Sequence, residues 1–269
     1  MEIQGLQFKL PQNPDLTRRN LLIIFPILFI ALAELLIYAG HAKISIWIHI
    51  ATMVMLSLST TFIKDKEINR IHQSLMMLPV LRLVNLSVPI FFDLTLYSFV
   101  FIYGPLWTPI LIIARNQHFT TAELGLTFNK FWTYALLSIP LGFLLGLGEY
   151  LTIRTGYMIP DLSFSSILKL TFVMIFFVGL VEEIIFRSFI QTRLEQALGL
   201  QEGMLIASLL FGLMHSGYGT PFEMLYTGFV GLFMGTLFQK TRSLPFVGIL
   251  HGLVNVFLFG YIPHVILLN

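Results

Sequence analysis

The stretch 21–39, LLIIFPILFIALAELLIYA, follows Arg18-Arg19 and contains one ionisable residue, Glu34. A helix rising ~1.5 Å per residue needs about 20 apolar residues to cross ~30 Å of hydrocarbon, and this stretch has that length. Gly40-His41-Ala42 after it offers small residues at a cleavage-like spacing. A signal peptide, however, has an apolar core of only ~7–15 residues, and Glu34 lies inside this one. The stretch reads as a first membrane span.

Working outward, runs of the same kind recur at 44–63, 75–92, 94–114, 131–151, 165–190, 203–216, 222–239 and 244–259. The third span of the series, 75–92, is interrupted by Arg82 and Asn85 and bracketed by Pro79 and Pro89, so a tilted or interfacial helix is the competing reading there. The tail 260–268 is apolar but too short to span alone. The expected fold class is all-α, a polytopic transmembrane helix bundle of about eight or nine spans. Only 11% of the 269 residues are charged, against ~25% in soluble domains. There is no Cys, which excludes disulfides, thiol chemistry and Cys-ligated metals. The net charge of +2 sits in loops, so membrane lipid, and not nucleic acid, is the expected partner.

Charge placement tests this division. With a cytoplasmic N-terminus, the inside loops hold Lys9, Arg18, Arg19, Lys64, Lys66, Arg70, Arg115, Lys130, Arg193, Lys240 and Arg242. The outside ends hold only Lys43, Arg154 and Lys169. That asymmetry is the positive-inside pattern, and dropping the third span would weaken it. In a prokaryote the location would be the plasma membrane. No internal repeat is evident. The polar connection from Arg115 to Lys130 divides an N-terminal segment of about four spans, 1–116, from a core, 117–269, that carries most of the chemistry-bearing residues.

Ionisable groups inside a bilayer are costly, and each is a functional candidate. Three clusters stand out: Glu182-Glu183-Ile184-Ile185-Phe186-Arg187, Phe211-Gly212-Leu213-Met214-His215, and His251-Gly252-Leu253-Val254-Asn255. Glu183 and Arg187 are i,i+4 neighbours and are expected to form a structural ion pair. Glu182 points ~100° away and stays outside that pair. His251 and Asn255 share one helix face. Counting ~1.5 Å per residue from the cytoplasmic loops puts Glu182, His215, His251 and Asn255 at depths of roughly 10–18 Å. Such a set suits water activation: a carboxylate as general base, a His sharing the water, and a second His with an Asn amide donating to a developing oxyanion. No G-x-S-x-G and no H-E-x-x-H occurs. A zinc set of two His and one Glu is the competing arrangement, against which Asn255 is a poor ligand. No metal and no cofactor are expected.

The three clusters, E-E-x-x-x-R, F-x-x-x-H and H-x-x-x-N in order, resemble the CPBP family of CAAX proteases and bacteriocin-processing proteins. Ala122-Glu123-Leu124-Gly125-Leu126 resembles the short stretch that often precedes its domain. The resemblance covers about 120 to 260. It implies an intramembrane glutamate-type endopeptidase similar to the Ras-converting CAAX endopeptidase, cutting near the cytoplasmic face. By this resemblance Glu182 and His215 activate water, while His251 and Asn255 form the oxyanion site. The implied partner is a peptide or protein substrate, lipid-modified at its C-terminus or a leader or sorting peptide.

Plainer readings stand beside these. His215 can cap a short helix, and His251 with Asn255 can be interhelical hydrogen-bond glue. Glu34, His49, Glu149 and Glu223 lie near span ends and are expected to reach the interface. Phe186 and Phe211 are expected to pack. Two other functions compete: a proton-coupled transporter, against which no inverted repeat or pair of broken helices is seen, and a non-catalytic scaffold or immunity factor.

Overall fold

A computed structural model of the protein describes residues 16–267. Lys9, counted among the inside cations above, falls outside them. Among the described residues all regular structure is helical, and eight helices are long and apolar enough to cross a membrane.

Helix α1 (Leu16–Tyr38) buries Ile23, Ile30, Ala33 and Glu34 and leaves Phe25, Leu28 and Leu32 exposed. One stripe at helical spacing therefore meets protein, and the rest is the apolar surface that hydrocarbon would solvate. It pairs with α2 (Ala42–Phe62). The Asp65 carboxylate accepts the backbone N–H groups of Glu67 and Ile68, capping α3 (Lys66–Phe91). This helix bears on the doubtful third span. It is long and apolar enough to cross, and Arg82, which looks like an interruption, is buried against Glu34 with a guanidinium–carboxylate contact of 2.5 Å.

Next come α4 (Leu96–Asn116), tightened at Gly104–Leu106, and α5 (Phe131–Ile153). Helix α6 (Phe164–Leu198) is continuous but widens into π-helical turns at Met174–Gly179 and Ile184–Gln191. Glu182 and Glu183 lie on the ordinary turn between them. Helix α7 (Leu200–Leu213) has 14 residues and is not among the eight that reach spanning length. It corrects the span placed at 203–216. Helix α8 (Pro221–Thr241) follows, and α9 (Leu244–Ile266) absorbs much of the tail set aside as too short to span.

Helix α9 is the axis of the core: 72% of its most apolar window is buried, against 22–39% in the other seven. It packs on α5 and α6. The α6–α9 approach depends on Gly179, where a Cβ would lie 2.6 Å from the Gly248 carbonyl and 2.7 Å from the Gly252 nitrogen. Only hydrogen fits there, the close small-residue contact by which membrane helices associate. The N-terminal helices pack into the same body: α1 touches α7, and α3 and α4 touch α6.

Two cations counted as loop charges are in fact buried. Arg242 pairs with Glu195 at 2.5 Å. Arg193 donates to Gln117 and Glu123 at 2.9 and 2.6 Å and lies 3.8 Å over the Phe119 ring. Burial alone would push the Glu123 carboxyl up, but the Thr120 backbone N–H and the Arg193 guanidinium outweigh it and hold the group below its ordinary range. The connection before α5 is thereby fastened to the end of α6.

Candidate active site

A cavity of about 480 Å³ lies between α3, α4, α6, α9 and the turn that follows α7. Glu182, His215, His251 and Asn255 all line it, so the four residues singled out in three separate clusters share one space.

The adjacent glutamates of α6 part company, as their ~100° separation requires. Glu182 accepts a hydrogen bond from the Tyr103 hydroxyl, and its other oxygen lies 3.9 Å from His251 Nε2. Glu183, fully buried, accepts from Arg187 Nε at 2.9 Å with one oxygen and from His251 Nδ1 at 2.9 Å with the other. Arg187 uses neither Nη1 nor Nη2 in a hydrogen bond, and its guanidinium lies 5.3 Å over the Phe211 ring, a cation–π contact.

His215 Nδ1 bonds the Phe211 carbonyl at 2.9 Å. A carbonyl only accepts, so Nδ1 carries the proton and Nε2 of the neutral ring has a free lone pair. The ring stacks on Tyr218, 6.2 Å between centroids and 11° between planes. His215 thus caps the end of α7, as the plainer reading had it, and lines the cavity as well. His251 likewise joins α9 to α6 through Glu183 while facing the cavity. The Asn255 amide makes no hydrogen bond among the described residues and is turned to the cavity wall. Phe186 and Phe211 are buried against each other edge-to-face, 5.0 Å apart.

The structure overturns one group of expectations. Glu34, His49, Glu149 and Glu223 do not reach the interface; all four are buried. Glu34 takes Arg82, Glu223 accepts from the Thr152 hydroxyl at 2.6 Å, and Glu149 lines the cavity. Burying a carboxylate without a partner is costly, and Glu34 and Glu223 found theirs on helices remote in sequence. Sequence reasoning also missed Tyr103, which belongs to none of the three clusters and meets Glu182 only through the packing of α4 on α6. Arg82 lines the cavity too, and the one signal for it was the rarity of arginine inside a span. Among the described residues no group of three or more His, Asp or Glu side chains is arranged to hold a metal ion.

Residues 164–257 match the family model of the type II CAAX prenyl endopeptidase Rce1-like proteins. This segment is similar to the Rce1-like proteins. No curated protein and no solved structure matches the chain. The matched segment contains α6, α7, α8 and most of α9, and with them all four cavity residues of the three clusters. The eight helices of spanning length and the match to a CAAX-type endopeptidase model support an integral, multi-pass membrane protein whose segment 164–257 is similar to that protease family.

Proposed function

We propose that the protein is a metal-independent, glutamate-type intramembrane endopeptidase in which Glu182 and His215 activate water and His251 and Asn255 stabilise the oxyanion. The observation that carries the reading is the convergence on one cavity of four side chains that all lie in the segment similar to the Rce1-like proteins. Glu182, oriented by Tyr103, takes a proton from water held between it and the free Nε2 of His215. The hydroxide attacks the scissile carbonyl, whose oxygen gathers negative charge. The Asn255 amide donates to that oxygen. His251 Nδ1 is committed to Glu183, so its Nε2 donates only from the imidazolium, whose charge Glu182 and Glu183 balance. Collapse of the tetrahedral intermediate passes the proton to the leaving amine, through His215 or Glu182. Cleavage then needs the Glu182 carboxylate free to accept the proton of water and His251 Nε2 free to donate.

The substrate class that fits the family is a C-terminal, lipid-modified peptide, delivered from the bilayer near the cytoplasmic face. Purified protein in liposomes, given a prenylated C-terminal peptide and the same peptide without lipid, tests this. Cleavage at one bond, faster for the lipidated peptide and unaffected by chelators, is expected. A metal equivalent lost and regained together with activity would move His215 and His251 to ligation. No cleavage of any peptide, with proton-coupled solute uptake in its place, would favour a transporter.

A further inference from the structure

A buried polar network outside the four-residue set flanks His215, and its ion pair comes from helices outside the matched segment. Glu34 on α1 accepts from Arg82 Nε at 2.8 Å and Arg82 Nη2 at 2.5 Å. It also accepts from the Ser216 hydroxyl at 2.7 Å. Arg82 Nη2 donates in addition to the Met214 carbonyl. His49 on α2 closes the back, its Nε2 lying 3.2 Å from Glu34 Oε1. Glu34 and His49 are completely buried, and Arg82 and Ser216 nearly so.

Met214 and Ser216 are the two neighbours of His215. Helix α7 has ended at Leu213, and the last carbonyls of a helix lack partners of their own. Arg82 takes one of them, and its positive charge suits the negative end of the helix dipole. His215 itself has φ −95° and ψ 11°, where the chain turns out of α7. A guanidinium fork grips the carbonyl on one side of it, and the carboxylate paired with that fork grips the hydroxyl on the other. Nothing within residues 164–257 supplies these two contacts.

We infer that Glu34 and Arg82 are positioning residues for His215, and that the N-terminal helices thereby complete a site whose reacting groups lie in the segment similar to the Rce1-like proteins. This rests on the proteolytic reading for its catalytic consequence, but not for its structural one. The ion pair holds the 214–216 backbone so that Nδ1 reaches the Phe211 carbonyl and Nε2 is left for water.

The test uses the whole protein in detergent and two mild variants. Ser216→Ala removes one hydroxyl and leaves the ion pair. Arg82→Lys keeps the charge but loses the fork that reaches Glu34 and Met214 together. Peptide-bond cleavage should show kcat lowered about tenfold in each, equivalent to ~1.4 kcal/mol, with KM within twofold and melting temperature close to wild type. In a His215→Gln background Arg82→Lys should lower the residual rate no further, since it acts through that ring. Nitrogen-15 spectra of histidine-labelled protein give a reading independent of activity. His215 should be a single Nδ1–H tautomer in wild type and an averaged pair in both variants. If wild type cleaves nothing, the proteolytic reading fails while the spectra still decide the positioning. An unchanged His215 spectrum in both variants overturns the inference. So does loss of activity that merely follows the folded fraction, or that persists undiminished in the His215→Gln background.

Discussion

Two buried arginine–glutamate pairs stand behind residues of the same cavity, and they differ in how the chain makes them. Glu183 and Arg187 are one helical turn apart on α6 and meet at 2.9 Å. Glu34 and Arg82 are 48 positions apart, on α1 and α3, and meet through two hydrogen bonds. The first pair holds a face of one helix and lends its carboxylate to His251. The second ties two helices to a turn on a third. A local pair stabilises a side-chain direction, whereas a remote pair fixes the relative placement of helices that have little hydrophobic reason of their own to choose a register inside a membrane.

The comparison can be broken most forcefully at the carboxylates. Glu183→Gln leaves Arg187 buried with Nη1 and Nη2 already unpartnered, and removing one member of a buried pair costs about 3–5 kcal/mol. Glu34→Gln leaves Arg82 its bond to the Met214 carbonyl. Thermal unfolding in detergent should therefore show Glu183→Gln as the more destabilised of the two. The opposite order would mean that the remote pair carries the greater share of the fold.

Asn255→Ala separates chemistry from structure on the α9 side. The amide has no partner among the described residues to lose, so melting should be unchanged, while kcat falls by roughly 10²–10³ with little change in KM, the usual cost of one oxyanion donor. A rise in KM at constant kcat would make Asn255 a binding group instead.

How far the local and remote contacts can be read before the structure is seen differs for the same reason. The spans, the Glu183–Arg187 partnership and the face shared by His251 and Asn255 follow from helical periodicity and the cost of charge in hydrocarbon, both properties of neighbouring residues. The convergence of four groups at similar depth was also legible, because depth follows from position along a span. Glu34 was read as reaching the interface since its partners, Arg82 and Ser216, lie on other helices and no spacing rule connects them. Tyr103 escaped for that reason as well. The bounds of α7 lie three residues earlier than expected because Leu200-Gln201-Glu202 already belong to the helix despite the polarity of Gln201 and Glu202, while the backbone of Met214, His215 and Ser216 has left it.

A smaller effect is expected where α6 and α9 touch. Gly179→Ala places a methyl group against the Gly248 carbonyl, and overpacking of this kind costs about 1–3 kcal/mol. Because that contact sets the distance from Glu183 to His251, activity should fall further than stability alone explains, as paired unfolding and rate measurements would show. Equal losses would leave the contact a packing feature only.

The smallest effect belongs to the Glu123–Arg193 pair. Its carboxyl is held below its ordinary range in the folded protein, so the contribution is fully present above the unfolded value of about 4.3 and is lost as pH falls through the lower folded one. Melting temperatures taken downward from pH 5 should fall less steeply in Glu123→Gln than in wild type. Parallel curves would show that this pair has no part in acid sensitivity.

The central claim is that Glu182 activates water for peptide-bond hydrolysis. It is tested most directly by the rate at which purified wild type and Glu182→Gln, reconstituted side by side, cut a prenylated C-terminal peptide, with products identified by mass. The account predicts one new carboxyl terminus from wild type and a rate at least about 10²-fold lower from Glu182→Gln, the two proteins melting together. Equal rates from the two proteins would contradict it.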